Sequence, residues 1–171
     1  QAAAQQGQGA DTASYRELKQ CLDSGIHPDN LVLTGAVKNE NLLSLAVDHQ
    51  VTIVLDNYDE WNLLKKICTE KQKKVTVNIR LGGFQFEGKT LATRFGFSLD
   101  EAVTFIQHLQ NNKDLVEFTG LHFHLNGYSV EQRVAAIEQS VQLIDRLQAL
   151  NIPTFSLDIG GGILMNYLEN A

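Results

Sequence analysis

The run Asp158-Ile-Gly-Gly-Gly162 carries the most specific chemical signal in the chain. Three glycines behind a β-prone segment let the backbone come close to a ligand. They also leave several N–H groups free ahead of a following helix, an arrangement suited to phosphate. A tight turn needing positive φ is the plainer alternative, but three consecutive glycines exceed what such a turn requires. The spacing is neither that of a Walker loop nor that of a dinucleotide fingerprint. His122 and His124 stand two residues apart, so on a strand they share one face. They are either hydrogen-bonded interior histidines or a surface on which one imidazole stacks against an aromatic cofactor. No third ligand accompanies them at metal-binding spacing, and no metal site is expected. Thr34, Gly35, Lys38, Asp56 and Arg80 follow or end other β-prone runs. The long glycine-rich stretch 81–97 carries Arg94, and is either a flexible excursion or a working loop.

The elements that must position these groups alternate along the chain. Residues 31–34, 52–56, 75–80, 120–125 and 155–159 read as strands, with a weaker first strand at 10–13. Between them, 14–23, 39–49, 58–70, 98–112 and 130–150 have helical spacing, with Asn57 and Ser98 as caps and Gly25 just past a helix end. In the last helix Val134, Ile137, Val141, Ile144 and Leu147 form a stripe expected to pack on the sheet. Six strands alternating with helices argue for a parallel α/β sheet, and the regular repeat leans toward a (β/α)8 barrel. A closed barrel usually needs ~250 residues, so at 171 residues the sheet is open or strands are missing. In α/β proteins of this kind ligands bind beyond the carboxyl ends of the strands, where the polar residues above collect.

Bulk properties narrow the classes further. A net charge of −6 with scattered cations excludes a nucleic-acid-binding surface; Lys71, Lys73 and Lys74 read as a solvated loop. No apolar run approaches membrane-spanning length, and no membrane association is expected. Cys21 and Cys68 fit neither a metal motif nor a disulfide framework, which places two free thiols in a reducing, cytoplasmic compartment.

Seven blocks, in order, resemble the fold-type III pyridoxal-phosphate-dependent decarboxylases, the group of the diaminopimelate, ornithine and arginine decarboxylases. They are Gly9-Ala-Asp-Thr-Ala-Ser14 with Glu17-Leu18, Thr34-Gly-Ala-Val-Lys-Asn39, Leu55-Asp56, Asn78-Ile-Arg80, Thr93-Arg-Phe-Gly96, Gly120-Leu-His-Phe-His124 and Leu157-Asp-Ile-Gly-Gly-Gly162. The resemblance implies a barrel of the alanine racemase-like type and pyridoxal 5'-phosphate as cofactor. It implies that His124 stacks on the cofactor ring and that Gly160, Gly161 and Gly162 hold the phosphate. Arg80 matches an arginine near the ring, Asp11 an acid beside the catalytic lysine, Ser14 and Glu17 surrounding positions, and Asp158 a supporting aspartate. The parent protein would be an amino-acid decarboxylase, a lyase acting as a homodimer on an amino-acid substrate.

Two departures from the family pattern stand out. The phosphate-binding serine that usually follows the stacking histidine is replaced by Gly127, so Ser129 or a backbone N–H would substitute; Arg94 stands where lysine is common. None of the chain's lysines matches the cofactor-linking position, because the resemblance places that lysine on a first strand ahead of Gly9. Residues 1–171 are therefore expected to be a partial barrel domain of about six strands. The first and last barrel strands and a C-terminal β-domain would be absent, and residues 1–4 would end a helix. Such a chain would lack catalytic residues of its own and be inert alone. The alternatives are an amino-acid racemase on a similar barrel, or a decarboxylase-like regulatory protein that works by binding.

Overall fold

The computed structural model describes residues 6–162. The helix end expected at residues 1–4 and the helix expected after Gly162 lie outside the described residues. In chain order the strands are β1 (Ala10–Thr12), β2 (Leu31–Leu33), β3 (Thr52–Leu55), β4 (Val75–Leu81), β5 (Gln85–Phe86), β6 (Lys89–Thr90), β7 (Val116–His124) and β8 (Ser156–Gly160). The α-helices are α1 (Tyr15–Asp23), α2 (Glu40–His49), α3 (Tyr58–Lys71), α4 (Leu99–Gln110) and α5 (Val130–Ala149), with a 3-10 turn at Pro28–Asn30.

Six strands make one parallel sheet in the order β1-β2-β3-β4-β7-β8, an open half-barrel. Each crossover carries a helix, as parallel pairing demands. Strand alternation then divides the chemistry between two faces. Leu31, Leu33, Ile53, Leu55, Val77, Ile79, Leu121 and Phe123 join the core shared with the helices. Asp11, Val32, Val54, Asn78, Arg80, His122 and Asp158 alternate with them and take the concave face. The sheet curls enough that Asp11 on β1 and Asp158 on β8, at its two edges, sense each other's charge.

Helix starts are set by the expected side chains. Asn57 accepts from the Glu60 N–H at 2.9 Å, and Ser98 with Glu101 forms a capping box. An aromatic cluster locks α3 to α4: Phe97 and Phe105 stack at 4.5 Å, and the Trp61 indole N–H donates to His108 Nε2 at 3.2 Å.

Three features differ from the sequence reading. Strand β7 begins at Val116 rather than 120, because it runs through a bulge where its register against β4 shifts between Val77 and Asn78. Stretch 81–97 holds a small hairpin, β5–β6, turned at Glu87 and Gly88, both with positive φ. The buried face of α5 is Arg133, Ala136, Ser140, Leu143 and Leu147; of the expected stripe Leu147 is buried and Ile137 and Ile144 pack against the core, but its other two members do not. Val134 and Val141 are exposed. Small Ala136 and Ser140 let the helix approach closely, and the Ser140 hydroxyl is satisfied by the Ala136 carbonyl at 2.7 Å.

Candidate functional site

Register across β4, β7 and β8 aligns Arg80, His122 and Asp158 in one row on the concave face, with Asn78, Gly120 and Ser156 in the row below. One step beyond the upper row, His124 lies beside Gly160. The sequence-predicted ring and phosphate residues therefore meet at the carboxyl ends of neighbouring strands, and Asp11 faces them from the far edge.

A chain of buried charges holds the β2–β4 side of the mouth. Lys38 Nζ lies 2.8 Å from Glu60 Oε1, with both side chains almost fully buried. The other Glu60 oxygen accepts the Asp56 N–H at 2.9 Å. Asp56 in turn lies 3.3 Å from the Arg80 guanidinium. Burial pushes Lys38 down and Glu60 up, and their mutual attraction opposes both shifts. The Arg80 guanidinium also lies over the Phe95 ring at 4.9 Å, with Arg94 near the same ring at 5.2 Å.

His122 is 2% exposed, and its pKa falls to about 3 through burial, then the charges of Arg80, His124 and Lys38. It is therefore a neutral imidazole at every physiological pH. Asp158 moves the other way, up to about 6, by burial and by the charge of Asp11, which burial also raises.

Stretch 81–97 leaves β4 and returns onto it. The Phe97 N–H donates to the Arg80 carbonyl at 2.9 Å, and Gly82 N–H donates to the Phe97 carbonyl at 2.8 Å. Between this excursion and the end of β7 lies a cavity of about 550 Å³, lined in part by Arg80, Phe84, Arg94, Phe95, His124 and Asn126. The glycines of the β8 turn are needed where they stand. A Cβ on Gly160 would sit 2.9 Å from His124 Nδ1, and one on Gly161 would sit 3.0 Å from the Arg133 guanidinium. Gly161 also has φ +95°, which disfavours any side chain.

Ser129, one candidate to replace the usual phosphate-binding serine, caps α5 and donates to Glu131 at 2.8 Å. Gly127 occupies the serine position itself with φ +104°. Sequence reasoning missed two participants. The pairing of Lys38 with Glu60 spans 22 residues and leaves no local pattern. Arg133 could have been noticed as a charged residue in phase with Ala136 and Ser140.

A parallel α/β half-barrel with a neutral histidine, a glycine turn and clustered charges at its strand ends is an arrangement suited to a phosphorylated small molecule at that mouth. Comparison with known proteins gives the family. The family described as "Pyridoxal-dependent decarboxylase, pyridoxal binding domain" matches residues 1–171. The chain is 30% identical over its whole length to the uncharacterised protein y4yA of Sinorhizobium fredii, of which it covers 36%. It is 29% identical to a diaminopimelate decarboxylase of Aquifex aeolicus, with 94% of this chain and 40% of that protein aligned. The crystal structure of diaminopimelate decarboxylase from M. jannaschii superposes with a TM-score of 0.87 at 18% identity, covering 99% of this chain and 42% of that one. The chain belongs to the pyridoxal-dependent decarboxylase family, and its cofactor is pyridoxal phosphate (PLP). It spans about two fifths of the length of the relatives it matches.

The residues present fit that cofactor. The glycine turn leaves room that a Cβ would fill. His122 Nδ1 and two Arg133 nitrogens are buried without partners among the described residues.

Proposed function

We propose that this chain supplies the phosphate-and-ring half of the PLP site in an amino-acid decarboxylase of the diaminopimelate/ornithine type. The observation that carries the reading is the row of Arg80, His122 and Asp158, capped by His124 and Gly160 in register on adjacent strands. Bound PLP supplies the electron sink that accepts the pair left on the α-carbon when carbon dioxide departs.

In this reading His124 offers its ring face to the cofactor, and neutral His122 behind it avoids adding a second positive charge. Arg80, paired with Asp56, stands beside the imidazoles. The N–H groups of Gly160 to Gly162, with the Gly127 turn, receive the phosphate. Asp158 senses the charge of Asp11 across the mouth, and these two carboxylates would be a suitable surrounding for a cofactor-linking lysine supplied from outside residues 1–171. The remaining barrel strands, a further domain and a homodimeric assembly in the cytoplasm would complete the enzyme, and residues 1–171 alone would be inert.

The test is made on the intact gene product. After addition of PLP it should show an absorbance band at about 420 nm that borohydride removes. It should also release carbon dioxide from one of diaminopimelate, ornithine or arginine. A protein that binds PLP without carbon dioxide release, but interconverts amino-acid enantiomers, would be a racemase. One that shows no band would be the regulatory protein, and the decarboxylase reading would be wrong.

A further inference from the structure

On the reading that this mouth binds PLP, we propose that Arg133 is the charged residue of the phosphate site, taking over the anchoring that the serine replaced by Gly127 provides elsewhere in the family.

Arg133 sits in the first turns of α5, next to the loop that follows β7, and is 6% exposed. One guanidinium nitrogen, Nη2, donates to the Gly162 carbonyl at 2.7 Å, with a longer contact to the Gly127 carbonyl at 3.4 Å. The side chain therefore ties together the two glycine turns expected to surround the phosphate. Binding these carbonyls on one side leaves the N–H groups of both turns free to point elsewhere. The other two nitrogens, Nε and Nη1, are buried and have no hydrogen-bond partner among the described residues.

A buried guanidinium with two idle nitrogens and only carbonyls for company is costly unless an anion is near. Arginine also matches a phosphate's geometry, presenting parallel donors to its oxygens. The contact depends on glycine at 161, where a Cβ would stand 3.0 Å from Nη2 and 3.5 Å from Nη1. Ser129 does not compete for the role, since its hydroxyl is held by the helix cap and Glu131. The neighbouring N-terminus of α5 adds its partial positive charge to the same place.

The test compares PLP with pyridoxal, which lacks the phosphate, in equilibrium titrations of the intact protein. Arg133→Gln should weaken PLP binding roughly 10- to 100-fold, the value of a hydrogen-bonded charge, while pyridoxal binding changes by less than about threefold. Arg133→Lys should recover part of the loss. Equal weakening of both ligands, or unchanged PLP affinity, overturns the proposal while leaving the proposed function standing. A wild-type protein that binds neither ligand removes the proposed function and this inference with it. Should both variants fail to fold, a crystal structure of the PLP-loaded wild type decides. A phosphate oxygen within about 3.5 Å of the Arg133 guanidinium supports the assignment, and any larger separation overturns it.

Discussion

Lys38→Met should destabilise the protein by about 3–5 kcal/mol at neutral pH, the cost of removing one partner from a buried ion pair. The Lys38 ammonium and Glu60 carboxylate are 2.8 Å apart, with side chains 0% and 4% exposed. At an effective dielectric of about 20 their attraction is about 6 kcal/mol, and loss of solvation cancels much of it while the pair is intact. Without Lys38 that desolvation is uncompensated, because Glu60 stays fixed by the Asp56 N–H. Glu60, already raised by burial, then rises further. A raised carboxylate contributes stability below its unfolded pKa and loses it as pH rises through the folded value. The deficit of Lys38→Met should therefore grow from pH 5 to pH 8. The double variant Lys38→Met/Glu60→Gln keeps an acceptor for Asp56 and removes the stranded charge, so it should recover at least about 2 kcal/mol. Urea unfolding followed by Trp61, the chain's one tryptophan, measures all three variants. A single-variant cost below about 1 kcal/mol, or losses that simply add, would refute a tightly coupled buried pair.

Three further outcomes follow from the mouth. Gly160→Ala places a Cβ 2.9 Å from His124 Nδ1 and from the Phe123 carbonyl, so PLP affinity should drop more than about tenfold in an absorbance titration; an unchanged affinity would separate His124 from the cofactor. Asp158, raised to about 6, contributes stability below its unfolded pKa that is lost as pH rises through about 6. Asp158→Asn should therefore gain about 1–2 kcal/mol at pH 8 after solvent screening and less than about 0.5 kcal/mol at pH 4, as measured by urea midpoints. His122, with its pKa near 3, should show no change in its imidazole proton shifts between pH 8 and pH 4.5, and an inflection near pH 6.5 would show that it is not buried as described.

The parts of this architecture that are local in sequence were legible there. Alternating strand residues and spaced helical ones fix six strands and five helices to within a few residues, except where a bulge at Val77 and Asn78 lets β7 start early. His122, His124 and the β8 glycines were readable as one-face and one-turn features. What could not be read depends on contacts between distant elements. The apolar stripe on α5 meets the core through Ile137, Ile144 and Leu147, yet the face is rotated toward Arg133, Ala136 and Ser140, whose small members fit there and leave Val134 and Val141 exposed. Arg133 was hidden by the same choice of face.

The buried charges of the mouth divide into two groups, and the division separates scaffold from site. On the β2–β4 side each charge has a partner: Lys38 with Glu60, Glu60 with the Asp56 N–H, and Asp56 with Arg80 through an ion pair that leaves Asp56 Oδ1 without a hydrogen bond. Removing any of them strands another, as in a structural network. On the β7–β8 side the polar atoms are unmatched among the described residues: His122 Nδ1, Asp158 Oδ2, and Arg133 Nε and Nη1. Each costs about 1–3 kcal/mol while it remains so. Asp56 Oδ1 and Thr154 Oγ1 also lack a hydrogen bond, but the atoms of the β7–β8 side gather around a glycine turn too tight for a side chain. A ligand with a phosphate and polar ring substituents would relieve them together. The paired side therefore sets the position of Arg80, and on the proposed function the unpaired side is where a ligand would gain binding energy.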